Sequence, residues 1–254
     1  MLWIGARTTV SPFAVQEIAD AIEGVDIPVL IKNPINPDLN LWIGAIERIY
    51  NAGIQRVGVI HRGFSLAGNS SYRNEPLWQI PIELKRRFPD LTIICDNSHI
   101  CGRRDTLADV AQKSFDLNFH GLMTETHPTP DEAWSDAKQQ ITPATFKELV
   151  DNLVIKHVEL DGESKLSIDA LRAEIDGIDN ELLNMLGKRM EIAEAIGLYK
   201  KDKNISILQP VRWNEILEKG IVKGEEKGLS EEFIAQFLKA IHQESINHQM
   251  EVTK

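Results

Sequence analysis

The feature that most constrains the fold is the alternation of short apolar runs with amphipathic segments over residues 1–150. The runs are "LWIG", "IPVLIK", "VGVIH", "LTIICD" and "GLMTE". They are rich in Ile, Val and Leu and are bounded by Gly, Pro or Asp, which is typical of strands buried on both faces of a parallel sheet. The segments that follow them have helical spacing. We therefore predict an α/β fold with a parallel sheet, built from five strand–helix units.

From Leu166 onward the strand signals stop and one helical pattern runs to about Lys201. Its apolar residues fall at positions 168, 171, 175, 178, 182, 185, 192 and 196, three or four apart except for one gap of seven. A helix of this length spans roughly 50 Å, which favours a coiled-coil-like or interlocked helical assembly. A shorter helix starts near Pro210, and another is capped by Ser230. We predict an α/β domain over 1–153, a linker over 154–165 and an all-α domain over 166–254.

The charge and cysteine content narrow the class of protein. The 254 residues carry a net charge of −10, which argues against a nucleic-acid partner because phosphate contacts need clustered Lys and Arg. A few local cations could still bind a small anionic substrate. The two cysteines are too few for a disulfide framework, which indicates a reducing compartment. The sequence has neither an unbroken apolar run for a membrane span nor a signal-peptide pattern, so we predict a cytoplasmic protein without a membrane partner.

Four polar residues fall on helical stripes where packing calls for apolar side chains. Arg189 interrupts the seam of the long helix, and Lys200 lies three turns later on nearly the same face. Ser245 and Gln249 continue the apolar stripe of the last helix. Any one of them could belong to a buried hydrogen-bond network or be an Arg reaching to solvent. The four together, from two helices, favour a buried site for a polar anion.

Arg172 adds a geometric constraint. It lies seventeen residues before Arg189, which is roughly 25 Å along a straight helix. The two side chains therefore cannot bind one small molecule from the same helix. If both serve a substrate site, Arg172 serves the site of a second chain.

The sequence of the helical half resembles a known family. The stretches "LRAEIDGIDNELLNMLGKRMEIAEAIGLYK" and "SINHQ", with Arg212 between them, are similar to the all-helical chorismate mutases over about residues 166–250. The resemblance implies a homodimer that rearranges chorismate to prephenate without a cofactor. It also implies a set of catalytic residues, namely Arg172, Arg189, Lys200, Arg212, Ser245 and Gln249.

The resemblance also implies their roles. Arg189 and the partner's Arg172 would hold the two carboxylates, and Lys200 would hydrogen-bond the ether oxygen. Gln249 would approach that oxygen from the other side. Arg212 would line the site, and Ser245 would bind near a carboxylate or the hydroxyl. Two positions depart from the family pattern: Trp213 stands where a Glu often binds the substrate hydroxyl, and Gln209, a predicted substrate-binding residue, stands where an acidic residue is common.

Polar side chains also follow the predicted strands of the α/β half. They are Arg7, Lys32, His61, Arg62, Asp96, His99, Glu125 and, in the next loop, Asp136. Asp and His are common turn residues, but a cation after each of three successive strands is not explained by turn chemistry. Because active sites form at the carboxyl ends of parallel strands, the cations suit a phosphorylated or carboxylated substrate. His99, Glu125 and Asp136 form a donor set suited to Mn²⁺, Fe²⁺ or a similar metal.

The motifs "IGARTT", "VLIKNP", "HRGFS", "YRN", "CDNSHICG" and "GLMTETHPTPDEAWSDAKQQ" resemble the C-terminal part of the beta-type 3-deoxy-D-arabino-heptulosonate 7-phosphate (DAHP) synthases. That family implies a (β/α)₈ barrel that condenses phosphoenolpyruvate with erythrose 4-phosphate using a divalent metal. By motif position, the substrate-binding residues would be Arg7, Lys32, Arg62, Asp96 near the metal, and Arg73 on a phosphate. The implied metal ligands are His99, Glu125 and Asp136. The order of the halves is that of a bifunctional synthase–mutase of aromatic amino acid biosynthesis.

An eight-stranded barrel takes about 200–250 residues or more, whereas this half has about 150 and five units. We expect the family's first three units, with their Cys ligand, to be absent, and Met1 to correspond to a residue inside the family's barrel. We therefore expect little synthase activity from this chain. Two alternatives stay open: a mutase whose degenerate barrel is a scaffold or regulatory partner, and a non-enzymatic helical dimerisation module.

Overall fold

The computed structural model describes residues 1–68, 70–156 and 162–254. The chain divides into two units, Met1–Glu159 and Leu160–Lys254. Residues 157–161 of the predicted linker lie outside the described residues. The long helix begins at Gly162, four residues before the predicted start, so the last part of the predicted linker is helical.

The first unit is built on one parallel sheet. Its strands are β1 (Leu2–Ile4), β2 (Val29–Lys32), β3 (Val57–His61), β4 (Thr92–Cys95) and β5 (Gly121–Leu122). They follow one another in the order β1-β2-β3-β4-β5, and all pairs are parallel. The register pairs Lys32 with Ile60 and His61 with Cys95, so the carboxyl ends of β2, β3 and β4 meet at one edge. The predicted partial α/β barrel is confirmed.

Helices connect the strands. Their bounds are α1 (Ala6–Thr9), α2 (Pro12–Ala21), α3 (Leu39–Asn51), α4 (Gln79–Arg87), α5 (Asn97–Cys101), α6 (Leu107–Asp116) and α7 (Pro143–Asp151). Side chains cap several of them, and Asp38 accepts from the Leu41 N–H at 2.9 Å. The short helices α1 and α5, which directly follow β1 and β4, were not predicted. Arg7 and His99 therefore lie on helices.

The core of this unit lies between the sheet and its helices. Ile31 of β2, Trp42 and Ile49 of α3, and Leu84 of α4 are fully buried. The Trp42 indole N–H donates to the carbonyl of Ile31 at 3.2 Å, which satisfies its polar atom inside the core. His61, at the end of β3, is also fully buried.

The second unit is helical, as predicted, with α8 (Gly162–Asp202), α9 (Pro210–Glu225) and α10 (Glu231–Thr253). Ser230 caps α10 by accepting from the Phe233 N–H at 3.3 Å. Gly224 lets α9 approach α10 closely, since a Cβ there would lie 2.4 Å from the Ile234 side chain. None of the helices in the described residues is long and apolar enough to cross a membrane.

The N-terminal part of α8 presents an uncovered apolar stripe. No described residue of this chain covers Leu171, Ile175, Ile178 or Leu182, and each side chain is more than half exposed. Their spacing of three or four residues puts them on one face of the helix. We define these four residues as the α8 stripe. Burial within the chain begins only further along α8, at Met190.

Candidate functional site

A cavity of about 440 Å³ lies among α8, α9 and α10. Its lining includes six residues singled out in the sequence: Arg189, Lys200, Gln209, Arg212, Ser245 and Gln249. Apolar side chains such as Ile192, Ile196 and Ile216 complete the walls. The structure thus brings together all the predicted mutase residues except Arg172. A small cavity with several cationic and amide groups on apolar walls suits a compact anionic ligand.

Two polar pairs join α8 to α10 across this cavity. The Arg189 guanidinium donates to the Ser245 hydroxyl. The Lys200 ammonium donates to Gln249 Oε1 at 3.2 Å and to the Ile207 carbonyl at 2.7 Å. Gly197 allows this approach, since a Cβ there would lie 3.0 Å from the Gln249 Cα. Burial lowers the pKa of both Arg189 and Lys200, as expected for cations drawn away from water.

Two aromatic rings, of Trp213 and His242, form another part of the cavity wall. Trp213 stacks on His242 with ring centroids 4.2 Å apart and an interplanar angle of 14°. Burial and the charges of Arg189 and Lys200 lower the pKa of His242, so its imidazole is neutral near pH 7. His242 was not predicted from the sequence, although it precedes Ser245 by three residues and so lies one turn away on nearly the same helical face.

Two predicted arginines make contacts elsewhere. Arg212 lines the cavity, but its guanidinium pairs with Glu215 at 2.9 Å. Arg172 is not among the residues that line the cavity. It is exposed on α8 and pairs with Asp169 at 3.1 Å. Because α8 is continuous between them, Arg172 and Arg189 are separated by roughly 25 Å of helix.

The second candidate site lies at the carboxyl edge of the parallel sheet. Lys32, at the end of β2, pairs with the buried Asp96 after β4 at 2.7 Å. Asp96 also caps α5 by accepting from the backbone N–H of His99 at 3.1 Å, and it contacts His99 Nδ1 at 3.0 Å. Burial acts to raise the pKa of Asp96, but the hydrogen bond with His99 and the charges of His99 and Lys32 outweigh it and lower the pKa. Asp96 is therefore an anion near neutral pH.

The three predicted metal ligands come together beside Asp96. One ligand atom from each of His99, Glu125 and Asp136 lies within 4.8 Å of the others. His99 Nε2 is 3.8 Å from Glu125 Oε1, close enough for a shared ion and too far for a hydrogen bond. Because Asp96 contacts Nδ1, the other ring nitrogen is left for a metal. One imidazole and two carboxylates fit a divalent cation of the Mn²⁺ or Fe²⁺ type.

Cations surround this site. Arg62 follows β3, and its guanidinium donates to Asn74 Oδ1 at 2.8 Å. Burial lowers the pKa of Arg62, the charge of Asp96 opposes this, and the charges of Arg73 and Arg7 lower it further. The structure therefore brings both Arg7 and Arg73 within electrostatic reach of Arg62. Arg7 and Arg62 were predicted from their strand-end positions, and Arg73 from the resemblance of its motif. Like charges gathered at one edge favour an anionic ligand.

Arg73 contacts the metal set itself. Its Nη1 donates to Asp136 Oδ1 at 2.6 Å and to Gln139 Oε1 at 2.7 Å. Gln139, only 1% exposed, donates in turn from Nε2 to Glu125 Oε2 at 2.6 Å. The resemblance implies a phosphate role for Arg73, whereas Gln139 and Asn74 were not predicted. The adjacency of Asn74 to Arg73 was the available signal.

These two sites define a class: a protein with an α/β domain of the barrel type, carrying a metal-ligand set among cations, followed by a helical domain with an anion cavity. Family models agree with both halves. The model described as the DAHP synthetase I family matches residues 1–158, and the one described as chorismate mutase type II matches residues 171–250. The chain belongs to the DAHP synthetase I family and carries a type II chorismate mutase region. The predicted resemblances are confirmed, and both families belong to aromatic amino acid biosynthesis.

Individual relatives match one half each. The chain is 30% identical over 126 residues to a phospho-2-dehydro-3-deoxyheptonate aldolase of Thermotoga maritima, covering 50% of this chain and 37% of that protein. It is 32% identical over 75 residues to the T-protein of Haemophilus influenzae, covering 30% and 20%. A solved truncated form of the T. maritima DAHP synthase has a TM-score of 0.52 and 27% identity, over 67% of this chain and 59% of that one. The chain thus spans less than two thirds of the length of these relatives.

Proposed function

We propose that the helical unit catalyses the rearrangement of chorismate to prephenate and is an isomerase without a cofactor. The observation that supports this proposal is the cavity in which Arg189, Lys200 and Gln249 converge. The reaction is unimolecular and needs neither a nucleophile nor proton transfer. A site can accelerate it by holding the compact reactive conformer and by stabilising charge that develops on the ether oxygen.

The contacts in the cavity suggest how these two tasks are divided. Arg189 provides a planar fork for one carboxylate, and Ser245 fixes its guanidinium. The partner's Arg172 would hold the other carboxylate, and Arg212 lines the site. An ammonium has three N–H donors, and Lys200 uses two of them on Ile207 and Gln249. The third donor and the Gln249 amide Nε2 are left for the ether oxygen. This pairing stabilises the developing charge without consuming either group.

The test is the loss of chorismate absorbance on addition of the protein. We expect Lys200→Ala to lower kcat/KM by about 10²–10³-fold, the effect of losing one donor to a developing oxyanion. Lys239→Ala, on the exposed part of α10, is the matched control and should leave the rate unchanged. Wild-type rates in both Lys200→Ala and Arg189→Ala would contradict the assignment and favour the alternative of a non-enzymatic dimerisation module.

We propose further that the helical unit works as a homodimer in which the α8 stripe is covered by a second copy. The four exposed apolar side chains of the stripe, which no described residue of this chain covers, support this. Arg172 lies beside Leu171 at the start of the stripe, where it can enter the cavity of the partner. That position resolves the roughly 25 Å separation from Arg189.

Sedimentation tests the dimer. Ile175→Asp places a charge in the centre of the α8 stripe and should give a monomer with little mutase activity. Asn180→Asp adds the same charge on the opposite face of α8 and should stay dimeric and active. A dimeric Ile175→Asp protein would rule out this interface.

For the α/β unit we propose a DAHP synthase-type site for phosphoenolpyruvate and erythrose 4-phosphate. Arg7, Lys32 and Arg62 would bind the phosphoenolpyruvate anion, with Asp96 fixing Lys32. His99, Glu125 and Asp136 would hold a divalent cation such as Mn²⁺ or Fe²⁺. Such an ion supplies Lewis-acid polarisation of a substrate carbonyl when it is bound.

We propose that this chain by itself forms little or no DAHP. Among the described residues the sheet has five strands, so β1 and β5 each have one unpaired edge, whereas the family resemblance implies a closed barrel of eight. An assay with Mn²⁺ and both substrates tests this, and a robust metal-dependent rate would contradict it. Binding of Mn²⁺ without turnover is the expected result. Absence of both would favour the scaffold or regulatory alternative.

We also propose a cytoplasmic location. Cys95 and Cys101 are both free and buried, which suits a reducing compartment. Cell fractionation tests this proposal, and recovery of the protein outside the cytoplasmic fraction would contradict it.

A further inference from the structure

A buried amide connects the ligands of the candidate metal site. Gln139 accepts from Arg73 through Oε1 at 2.7 Å and donates to Glu125 through Nε2 at 2.6 Å. The two partners fix the amide orientation, because a guanidinium can only donate and a carboxylate can only accept. Gln139 is 1% exposed, so water does not replace either partner.

These contacts occupy one oxygen of each carboxylate. Gln139 holds Glu125 Oε2, while Glu125 Oε1 faces His99 Nε2 at 3.8 Å. Arg73 holds Asp136 Oδ1 at 2.6 Å. Each carboxylate therefore has one oxygen free of these hydrogen bonds, while its other oxygen is committed to a neighbour, which disfavours chelation of an ion by both.

The backbone reinforces this arrangement. Asp136 has a φ of +51°, a left-handed conformation that is uncommon outside glycine and that Asp adopts more readily than most residues. The Gln139 N–H donates to the Asp136 carbonyl at 3.1 Å, and the Ile141 N–H donates to the Glu125 carbonyl at 3.2 Å. The segment that carries Gln139 thus holds both carboxylate ligands through main chain and side chain.

We infer that Gln139 is a positioning residue that keeps Glu125 and, through Arg73, Asp136 monodentate, so that the site selects Mn²⁺-type cations over Ca²⁺. Ca²⁺ takes six to eight oxygen ligands and often uses bidentate carboxylates, whereas one imidazole and two single oxygens suit transition metals. The inference rests on the metal binding proposed for the α/β unit. It adds a determinant of metal choice that is not itself a ligand.

The test measures Mn²⁺ and Ca²⁺ binding to the full chain by titration calorimetry. Gln139→Met keeps the volume of the side chain and removes both hydrogen bonds. We expect Mn²⁺ affinity to fall about 10–100-fold, the usual cost of losing an outer-shell partner, and Ca²⁺ affinity to fall much less. Gln16→Met is the matched control: the Gln16 amide donates to Asp20 Oδ1 at 2.8 Å on the exposed face of α2, and both affinities should be unchanged.

The Mn²⁺/Ca²⁺ affinity ratio separates positioning from a structural role. A fall of about tenfold or more in Gln139→Met supports the inference. An unchanged ratio overturns it, even if both affinities fall. If Gln139→Met does not fold, Gln139→Asn, which keeps the amide but shortens its reach, is measured in the same way. A wild-type chain that fails to bind Mn²⁺ overturns both the proposed metal site and this inference, while leaving the mutase proposal intact.

Discussion

Replacing His61 should change how the stability of the α/β unit depends on pH. The ring is fully buried among aromatic side chains, with centroids 5.2 Å from Trp78 and 5.8 Å from Phe64. Burial lowers the pKa of His61 to about 3. The neutral imidazole is therefore part of the folded core throughout the mildly acidic range.

The magnitude follows from linkage. In the unfolded chain His61 has a pKa of about 6.5, so between about pH 6.5 and 3 the unfolded state binds a proton that the folded state does not. The contribution of His61 to the free energy of unfolding is therefore fully present above the unfolded pKa and is lost as the pH falls below it. A pH of 5 lies about 1.5 units below the unfolded pKa of His61. At about 1.36 kcal/mol per unit, the free energy of unfolding falls by about 2 kcal/mol.

Denaturant unfolding at pH 7 and pH 5, followed by tryptophan fluorescence, measures this loss. Trp42 and Trp78 adjoin His61, so their emission reports on the unit concerned. His61→Phe should show a decrease between the two pH values that is about 2 kcal/mol smaller than in the wild type, whatever its stability at pH 7. The same pH dependence in His61→Phe and the wild type would refute the reasoning.

Three further outcomes follow from the contacts described above. Asp96→Ala leaves the Lys32 ammonium buried without its partner. It should lower the free energy of unfolding, measured by denaturant titration, by about 3–5 kcal/mol. A loss below about 1 kcal/mol would contradict this. Gly224→Ala brings a Cβ to 2.4 Å from Ile234 and should cost about 1–3 kcal/mol, whereas Gly187→Ala, with no atom within 4 Å, should not destabilise α8. Trp213→Glu adds a hydrogen-bond acceptor for a substrate hydroxyl. It should lower the KM for chorismate about tenfold, which is equivalent to one charge-assisted hydrogen bond. An unchanged KM would show that position 213 does not contact the hydroxyl.

Periodicity predicted the long elements and failed on the short ones. The apolar runs predicted the five strands of the described residues, and the expected burial holds for β2 and nearly all of β3. It does not hold for β1, where Leu2 and Trp3 are exposed, or for β5, which is half-buried. Helices α1 and α5 have four and five residues, too few to show a helical repeat, so they were missed. The start of α8 was placed four residues late because the apolar repeat was counted from Leu166, while the helix begins at Gly162.

Some residues of the two candidate sites could be predicted from the sequence, and others could not. Arg189, Lys200 and Gln249 were predictable because polar groups on an apolar stripe violate the pattern of a helix core. Gln139 was not predictable, because its role depends on two partners that are distant in the chain and meet only at the sheet edge. An uncharged amide in a loop gives no signal of this kind.

The continuity of α8 has a genetic consequence. In the proposed dimer each site takes Arg189 from one copy and Arg172 from the other, so a lesion at either position damages both sites of a homodimer. A mixed dimer of an Arg172→Ala copy and an Arg189→Ala copy concentrates both lesions in one site and leaves the other intact. When equal amounts of the two variant chains pair at random, about half of the dimers are mixed, and each mixed dimer has one intact site of two. About one quarter of wild-type activity would then be recovered from two inactive proteins. Two defective alleles of this gene should therefore complement one another when expressed in the same cell.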